Sequence, residues 1–150
     1  MSRIDRARLE SAAFPLQHPA ATRCADVDQL GHINNLATAE LFQEGRVHFL
    51  LSFGLTGLAQ RSGVVAASRI EYARDVLWPH TIDVATGVLD VGRTSFRLGQ
   101  TARQQDMTAA YAEIVLVMRD AAGPAPLPEA SLADRARLPG TEIRTRTASL

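Results

Sequence analysis

Apolar residues recur at helical spacing in one long segment near the start of the chain. From Asn35 to about Phe53 the apolar side chains fall on one face at a period of 3.6 residues, which predicts a long helix ending at Gly54. The face consists of Ala39, Phe42, Phe49, Leu50 and Phe53. An apolar face of this length predicts that a wide surface packs around the helix.

The rest of the core alternates between apolar and polar positions, which is typical of strands. A first strand is predicted from Gln17 to Cys24, before the helix. Four more strands are predicted after it at hairpin spacing, over residues 63–73, 81–91, 94–103 and 109–119. This order predicts an α+β protein in which a long central helix is wrapped by a five-stranded antiparallel sheet.

Length and local composition predict one domain. Residues 1–150 fit a single domain whose core spans about residues 17–120. After this core the run Ala-Ala-Gly-Pro-Ala-Pro indicates that the chain leaves the packed region. Residues 121–150 are therefore predicted to be a partly disordered C-terminal extension, with a short helix at 128–138 and a disordered tail over the last ten residues.

Composition narrows the class of protein. Apolar residues make up 46% of the chain, and 16 acidic against 16 basic residues give a net charge of zero. A neutral chain has no electrostatic preference for nucleic acid or for an anionic membrane. No apolar run has the length of a membrane span, and the first residues do not resemble a secretion signal, so the cytoplasm is the expected location. The single cysteine, Cys24, fits a reducing compartment and is expected to be buried.

Candidate chemistry is concentrated directly before the helix, at residues 26–35. Asn34 and Asn35 are good N-cap residues, because their side-chain oxygens accept hydrogen bonds from free amides of the first turn. Those amides and the helix dipole favour negative charge on oxygen. Asp28 therefore lies near a predicted oxyanion site. An acyl group between them would meet a base or nucleophile on one side and hydrogen-bond donors on the other.

The same segment carries a family resemblance. D-V-D-Q-L-G-H-I-N-N followed by F-Q-E-G-R resembles the pattern D-x-D-x-x-G-H-x-N-N and F-x-E-x-R of hotdog-fold acyl-CoA thioesterases, and most closely the 4-hydroxybenzoyl-CoA thioesterase family. The resemblance implies a hotdog fold, a homodimer or homotetramer, and hydrolysis of an acyl-CoA thioester to free acid and coenzyme A. It implies no cofactor, because coenzyme A is part of the substrate. The matching positions are Asp26, Asp28, Gly31, His32, Asn34, Asn35, Phe42, Glu44 and Arg46.

The resemblance also implies roles for individual residues. Asp28 would act on the thioester as a nucleophile or as the base for water, and the backbone amide near Asn35 would polarise the carbonyl. His32, as a base or as a residue that positions the loop, and Glu44 complete the candidate catalytic set. The candidate substrate-binding residues are Gly31, Asn34 and Arg93, the last for a coenzyme A phosphate.

Two helix positions depart from the family pattern. Gly45 stands where alanine is common, and glycine inside a helix costs about 1 kcal/mol relative to alanine. A close packing partner at Gly45 is one reason for glycine there. Thr38 stands where an aromatic residue is common, so the acyl pocket is expected to differ in shape.

Alternative interpretations remain open. An aspartate at position 28 is also typical of a turn residue that accepts backbone N–H bonds.

Glu44 and His48 lie one helical turn apart, which suggests a metal pair, but no cysteine cluster accompanies them. A solvated or interface pair is therefore expected, and no metal is predicted. The same scaffold also suits a non-catalytic acyl-CoA or acyl-carrier binding protein, or a hydratase.

Overall fold

A computed structural model describes residues 3–55, 62–127 and 137–143. It contains two helices, α1 (Arg6–Ser11) and α2 (Asn35–Ser52). The strands in chain order are β1 (Leu16–Ala20), β2 (Ser62–Tyr72), β3 (Ile82–Val91), β4 (Ser95–Gln104), β5 (Met107–Asp120), β6 (Gly123–Pro124) and β7 (Arg137–Ile143).

The strands form one sheet in the order β1-β3-β4-β5-β2, with every neighbouring pair antiparallel. β6 pairs with the end of β5 in the antiparallel direction, and β7 pairs with β3 in the parallel direction. The buried face of α2 packs against one face of this sheet. The predicted hotdog fold, a long helix wrapped by a five-stranded antiparallel sheet, is confirmed. None of the described helices is long and apolar enough to span a membrane.

The contact between α2 and β3 is unusually close at Gly45. A Cβ atom added there would lie 2.7 Å from the Cβ atom of Val84 and would also overlap the Cγ1 atom of that side chain. Both residues are buried. The close packing partner expected at Gly45 is therefore present, and the missing methyl group lets the middle of the helix approach the sheet.

A second, smaller apolar cluster covers the opposite face of the sheet. On β5, Tyr111 belongs to this cluster, whereas its neighbours Ala110 and Ala112 belong to the main core. Leu9 of α1 and Leu138 of β7 complete the cover. The two ends of the described chain thus shield the side of the sheet that faces away from α2.

Two stretches differ from the sequence prediction. β1 ends at Ala20, because its pairing with β3 stops at the first residue of β3, and residues 24–26 form a 3₁₀ turn. Cys24 lies in that turn and is exposed, so the prediction that it is buried was wrong.

Near the C-terminus, residues 137–143 form β7, where the end of a helix and the start of a tail were predicted. Its partner is distant in sequence, at Val88–Val91. Nothing in the local pattern indicates such a pairing. The remainder of the predicted helix and tail, 128–136 and 144–150, lies outside the described residues.

We expect Gly45→Ala to destabilise the fold even though alanine favours helix. Overpacking of a core typically costs about 1–3 kcal/mol, and alanine returns about 1 kcal/mol of helix propensity. The net loss in the free energy of unfolding, measured by chemical denaturation, should reach up to about 2 kcal/mol. Gln43→Ala, on the exposed side of α2, is the matched control and should change stability by less than about 0.5 kcal/mol. A Gly45→Ala variant more stable than the wild type would contradict the packing argument.

Candidate active site

The start of α2 is fixed by Asn34, the N-cap residue. Its Oδ1 atom accepts from the backbone amide of Ala37 at 2.9 Å, and its Nδ2 atom donates to the carbonyl oxygen of Asp26 at 2.9 Å. The backbone amide of Asn34 donates to the same carbonyl, also at 2.9 Å. These bonds tie the helix start to the preceding turn.

This capping leaves two amides of the first helical turn available. The amide of Ala37 is taken by the Asn34 side chain, and that of Thr38 donates to the Asn34 carbonyl at 3.0 Å. The amides of Asn35 and Leu36 donate to no acceptor within the described part of the chain. Free amides at a helix N-terminus, reinforced by the helix dipole, form a site for an anionic oxygen.

Asp28 is held in a defined orientation by its own turn. Its Oδ1 atom accepts from the backbone amides of Leu30, at 2.9 Å, and His32, at 3.3 Å. Its Oδ2 atom accepts no hydrogen bond from any residue that the structure describes. The turn role and the catalytic role are therefore compatible, since they use different oxygen atoms of one carboxylate.

Asp28 and the helix start line the same cavity, which has a volume of about 550 Å³. Of the residues singled out in the sequence, this cavity brings together Asp28, His32, Asn34 and Asn35. Thr38 also lines it, and the Thr38 Oγ1 atom donates to the Asn34 carbonyl at 3.2 Å. The cavity thus places the Asp28 carboxylate, the residue with the first free amide, Asn35, and the small residue Thr38 around one space.

One wall of the cavity comes from the end of β2 and the segment that follows it. The hydroxyl of Tyr72 donates to the carbonyl oxygen of Asn35 at 3.2 Å, and partial burial raises the pKa of Tyr72 above its ordinary value. The carboxylate of Asp75 lies 3.4 Å from the Nδ1 atom of His32. Arg74 and Val76 also line this wall, and the Val76 carbonyl accepts from the Ile33 amide at 2.8 Å.

These wall residues were missed in the sequence because they carry no local signal. They lie about 40 residues after the Asp28 turn in the sequence, at the end of β2 and just beyond it. Only the pairing of β2 with β5 and the backbone bond between Ile33 and Val76 bring them to the helix start.

Three predicted site residues, Gly31, Glu44 and Arg93, are not among those that line the cavity. Gly31 shapes the Asp28 turn with a φ of +84°, and its amide donates to the Asp28 carbonyl at 3.0 Å. Glu44 lies further along α2 and forms a hydrogen bond with His18 of β1 at 2.8 Å. Arg93 lies in the turn between β3 and β4, where its carbonyl oxygen accepts from the amide of Leu127 at 3.3 Å.

Comparison with known proteins identifies the family. Residues 22–134 match the model of the thioesterase-like superfamily. Because this match spans well over half of the chain, the protein belongs to the thioesterase-like superfamily. A search among curated proteins finds no match.

Solved structures share the fold. A thioesterase from Thermus thermophilus, solved with coenzyme A and zinc, is 28% identical with a TM-score of 0.71, over 82% of this chain and 92% of the other. A predicted thioesterase from Bacillus stearothermophilus is 20% identical with a TM-score of 0.69, over 81% and 92%. A protein from Pseudomonas aeruginosa strain PAO1 is 22% identical with a TM-score of 0.73, over 82% and 90%. At their identities the last two show the fold alone.

The two adjacent asparagines should differ sharply when each is replaced. Asn34→Ala removes the N-cap bond and the bond to Asp26, so the free energy of unfolding should fall by about 1–2 kcal/mol. Asn35→Ala removes an exposed side chain and keeps its backbone, so the change should stay within about 0.5 kcal/mol. Urea denaturation of both variants measures the difference. Equal losses would contradict the assignment of Asn34 as the cap.

Proposed function

We propose that this protein is a thioesterase that hydrolyses acyl-CoA to the free acid and coenzyme A. One observation carries the proposal: Asp28, whose Oδ2 atom is free, and Asn35, which carries the first free amide of α2, line one cavity. Membership of the thioesterase-like superfamily supports the reaction type. The Thermus thermophilus relative, solved with coenzyme A, supports the substrate class.

In the proposed reaction the thioester carbonyl lies between Asp28 and the start of α2. Asp28 accepts a proton from water while the water oxygen attacks the carbonyl carbon, or its Oδ2 atom attacks directly. Negative charge then develops on the carbonyl oxygen, and the amides of Asn35 and Leu36 stabilise it. A donor of this kind typically lowers the barrier by about 3–4 kcal/mol. The C–S bond breaks, and the coenzyme A thiolate takes up a proton. In the direct route an anhydride joins Asp28 to the acyl group, and water then hydrolyses it to the free acid and the restored carboxylate.

The other cavity residues act through orientation and binding. Asp28 keeps its orientation because Leu30 and His32 bond its Oδ1 atom. Tyr72 donates to the carbonyl oxygen of Asn35, which helps to fix the peptide group that carries the Leu36 amide. His32, paired with Asp75, positions the turn. Glu44 and Arg93 lie outside the cavity and have no step in this mechanism.

We also propose that a second copy of the chain pairs along β2. The sheet ends at β2, and no strand among the described residues pairs with its outer side. This strand has 11 residues and no proline, its two charged residues Arg69 and Glu71 lie near its end, and Val64 and Val65 near its start are 45% and 43% exposed. Its last residue, Tyr72, lines the cavity, so the partner would lie beside the active site.

Replacing the proposed base should abolish catalysis and preserve the fold. Asp28→Asn keeps an oxygen atom that can accept the turn bonds but removes the base, so kcat for thiol release from acyl-CoAs should fall by about 100-fold or more. Asp75→Asn, the same change in the same cavity, is the control and should keep kcat within about tenfold, because Asp75 acts only through His32.

The results of this assay distinguish a thioesterase from a non-catalytic acyl-CoA binding protein. Retention of wild-type kcat by Asp28→Asn would refute the proposed role of Asp28. If no acyl-CoA in a panel of short, long and aromatic substrates releases thiol, hydrolysis of acyl-CoA is refuted. Stabilisation by acyl-CoA against thermal unfolding without thiol release would instead indicate a binding protein.

The β2 surface predicts the oligomeric state. Light scattering after size exclusion should give twice the mass of one chain. Val65→Asp, which places a charge at the open edge, should yield a monomer. Met107→Asp puts the same charge on another exposed apolar residue, at the start of β5, and should remain dimeric. A monomeric wild type, or a dimer that survives Val65→Asp but not Met107→Asp, would refute pairing along β2.

A further inference from the structure

A cluster of three metal-ligating side chains lies apart from the cavity. His18 comes from β1, and Glu44 and His48 come from successive turns of α2. One ligand atom from each residue lies within 4.8 Å of the other two. The sequence shows only the pair on the helix, because the third residue lies 26 positions before Glu44 and reaches it only through the packing of α2 on β1.

We propose that His18, Glu44 and His48 form a binding site for one divalent transition-metal ion of the zinc type. Two imidazoles and one carboxylate are a common ligand set for such an ion, with the fourth position open to water. In a tetrahedral site, ligand atoms about 2.0–2.1 Å from the metal lie about 3.4 Å from each other. The Nε2 atom of His18 and the Oε1 atom of Glu44 are already 2.8 Å apart, so a small separation makes room for the ion in place of the shared hydrogen.

The two histidine rings define the movement that binding requires. They are stacked, with centroids 3.8 Å apart and planes inclined by 15°. The lone pairs of ring nitrogens lie in the ring planes, so nearly parallel rings do not converge on one point. Binding therefore requires the His48 side chain, which is exposed, to rotate about its own torsions until its lone pair points toward His18 and Glu44.

The surroundings suit entry of an ion from solution. The side chain of His18 is 18% exposed and that of Glu44 is 48% exposed, so the cluster is open to solvent on one side. Glu44 supplies a negative charge that compensates part of the charge of the ion. The ion would connect α2 to the edge strand β1. It would add metal–ligand bonds to the side-chain packing and the one hydrogen bond that join them.

Such a tie is relevant to the candidate active site because both belong to the same helix. The free amides of Asn35 and Leu36 are at the N-terminus of α2, and Glu44 and His48 are in its second half. An ion that joins α2 to β1 therefore helps to fix the direction in which those amides point. Metal binding itself depends only on the three ligands and not on the proposed hydrolysis.

The test uses the full-length, untagged protein after dialysis against a chelator. Titration with ZnCl₂ should show one ion per chain. At a hundredfold excess over the dissociation constant, the ion should raise Tm by about 5 °C or more. CoCl₂ should give the visible absorption bands of a four- or five-coordinate ion.

Variants assign the ligands. Glu44→Gln and His48→Gln each remove one exposed ligand. Loss of a residue that only supports a ligand typically weakens metal binding by about 10–100-fold, so each of these variants should weaken Zn²⁺ binding by more than that. His80→Gln, at an exposed histidine outside the cluster, is the control and should bind as the wild type does. Circular dichroism checks that each variant is folded.

Two results would overturn the site. Absence of a Tm shift and of cobalt bands in the wild type would show that the three residues form only a hydrogen bond and a ring stack. Equal Zn²⁺ affinity in the wild type, Glu44→Gln and His48→Gln would place the ion elsewhere. Neither result bears on acyl-CoA hydrolysis, which the Asp28→Asn variant tests separately.

Discussion

Asn34 joins the loop to α2 through hydrogen bonds from both its backbone and its side chain. Its side-chain oxygen caps the helix, while its amide nitrogen atoms hold the carbonyl of Asp26. The cap decides which amides of the first turn remain free, and the bond to Asp26 decides where the Asp28 turn lies relative to them. Substrate polarisation and proton transfer both depend on this one constraint, since each needs its group at a fixed place in the same cavity.

The helix that carries these amides is anchored along its length. In its middle, Gly45 packs directly against Val84 of β3. Beside it, the buried Gln100 of β4 donates from its Nε2 atom to the Phe42 carbonyl at 3.1 Å and to Thr86 Oγ1 at 2.9 Å. A helix fixed to the sheet at several points behaves as a rigid support, which is the kind of element on which a precise site is built.

The sequence predicted those features whose cause is local. Helical periodicity, the asparagine cap and the alternating strands depend on neighbouring residues, and α2, the antiparallel strands and the Asp28 turn followed from them. The strand order did not, because β2 pairs with β5 and not with the next strand in the chain. The family resemblance placed Asp28, His32, Asn34 and Asn35 together, and one cavity contains all four.

What could not be predicted depends on contacts between distant segments. Tyr72 and Asp75 reach the cavity through the placement of β2, β7 exists because β3 has a free edge, and His18 meets Glu44 across the helix–sheet contact. Arg93 was chosen for its charge alone, and the fold puts it in a turn away from the cavity.

A structure of the protein bound to a ketone analogue of an acyl-CoA, R-CO-CH2-S-CoA, would test the proposed function most directly, because the methylene group between carbonyl and sulfur prevents hydrolysis and the carbonyl is kept. The account predicts the analogue's carbonyl oxygen at about 2.7–3.1 Å from the amide nitrogen of Asn35 or Leu36, with Asp28 Oδ2 on the other side of the carbonyl carbon. An analogue bound with its carbonyl away from the start of α2, or with Asp28 too far to reach the carbon directly or through one water molecule, would contradict it.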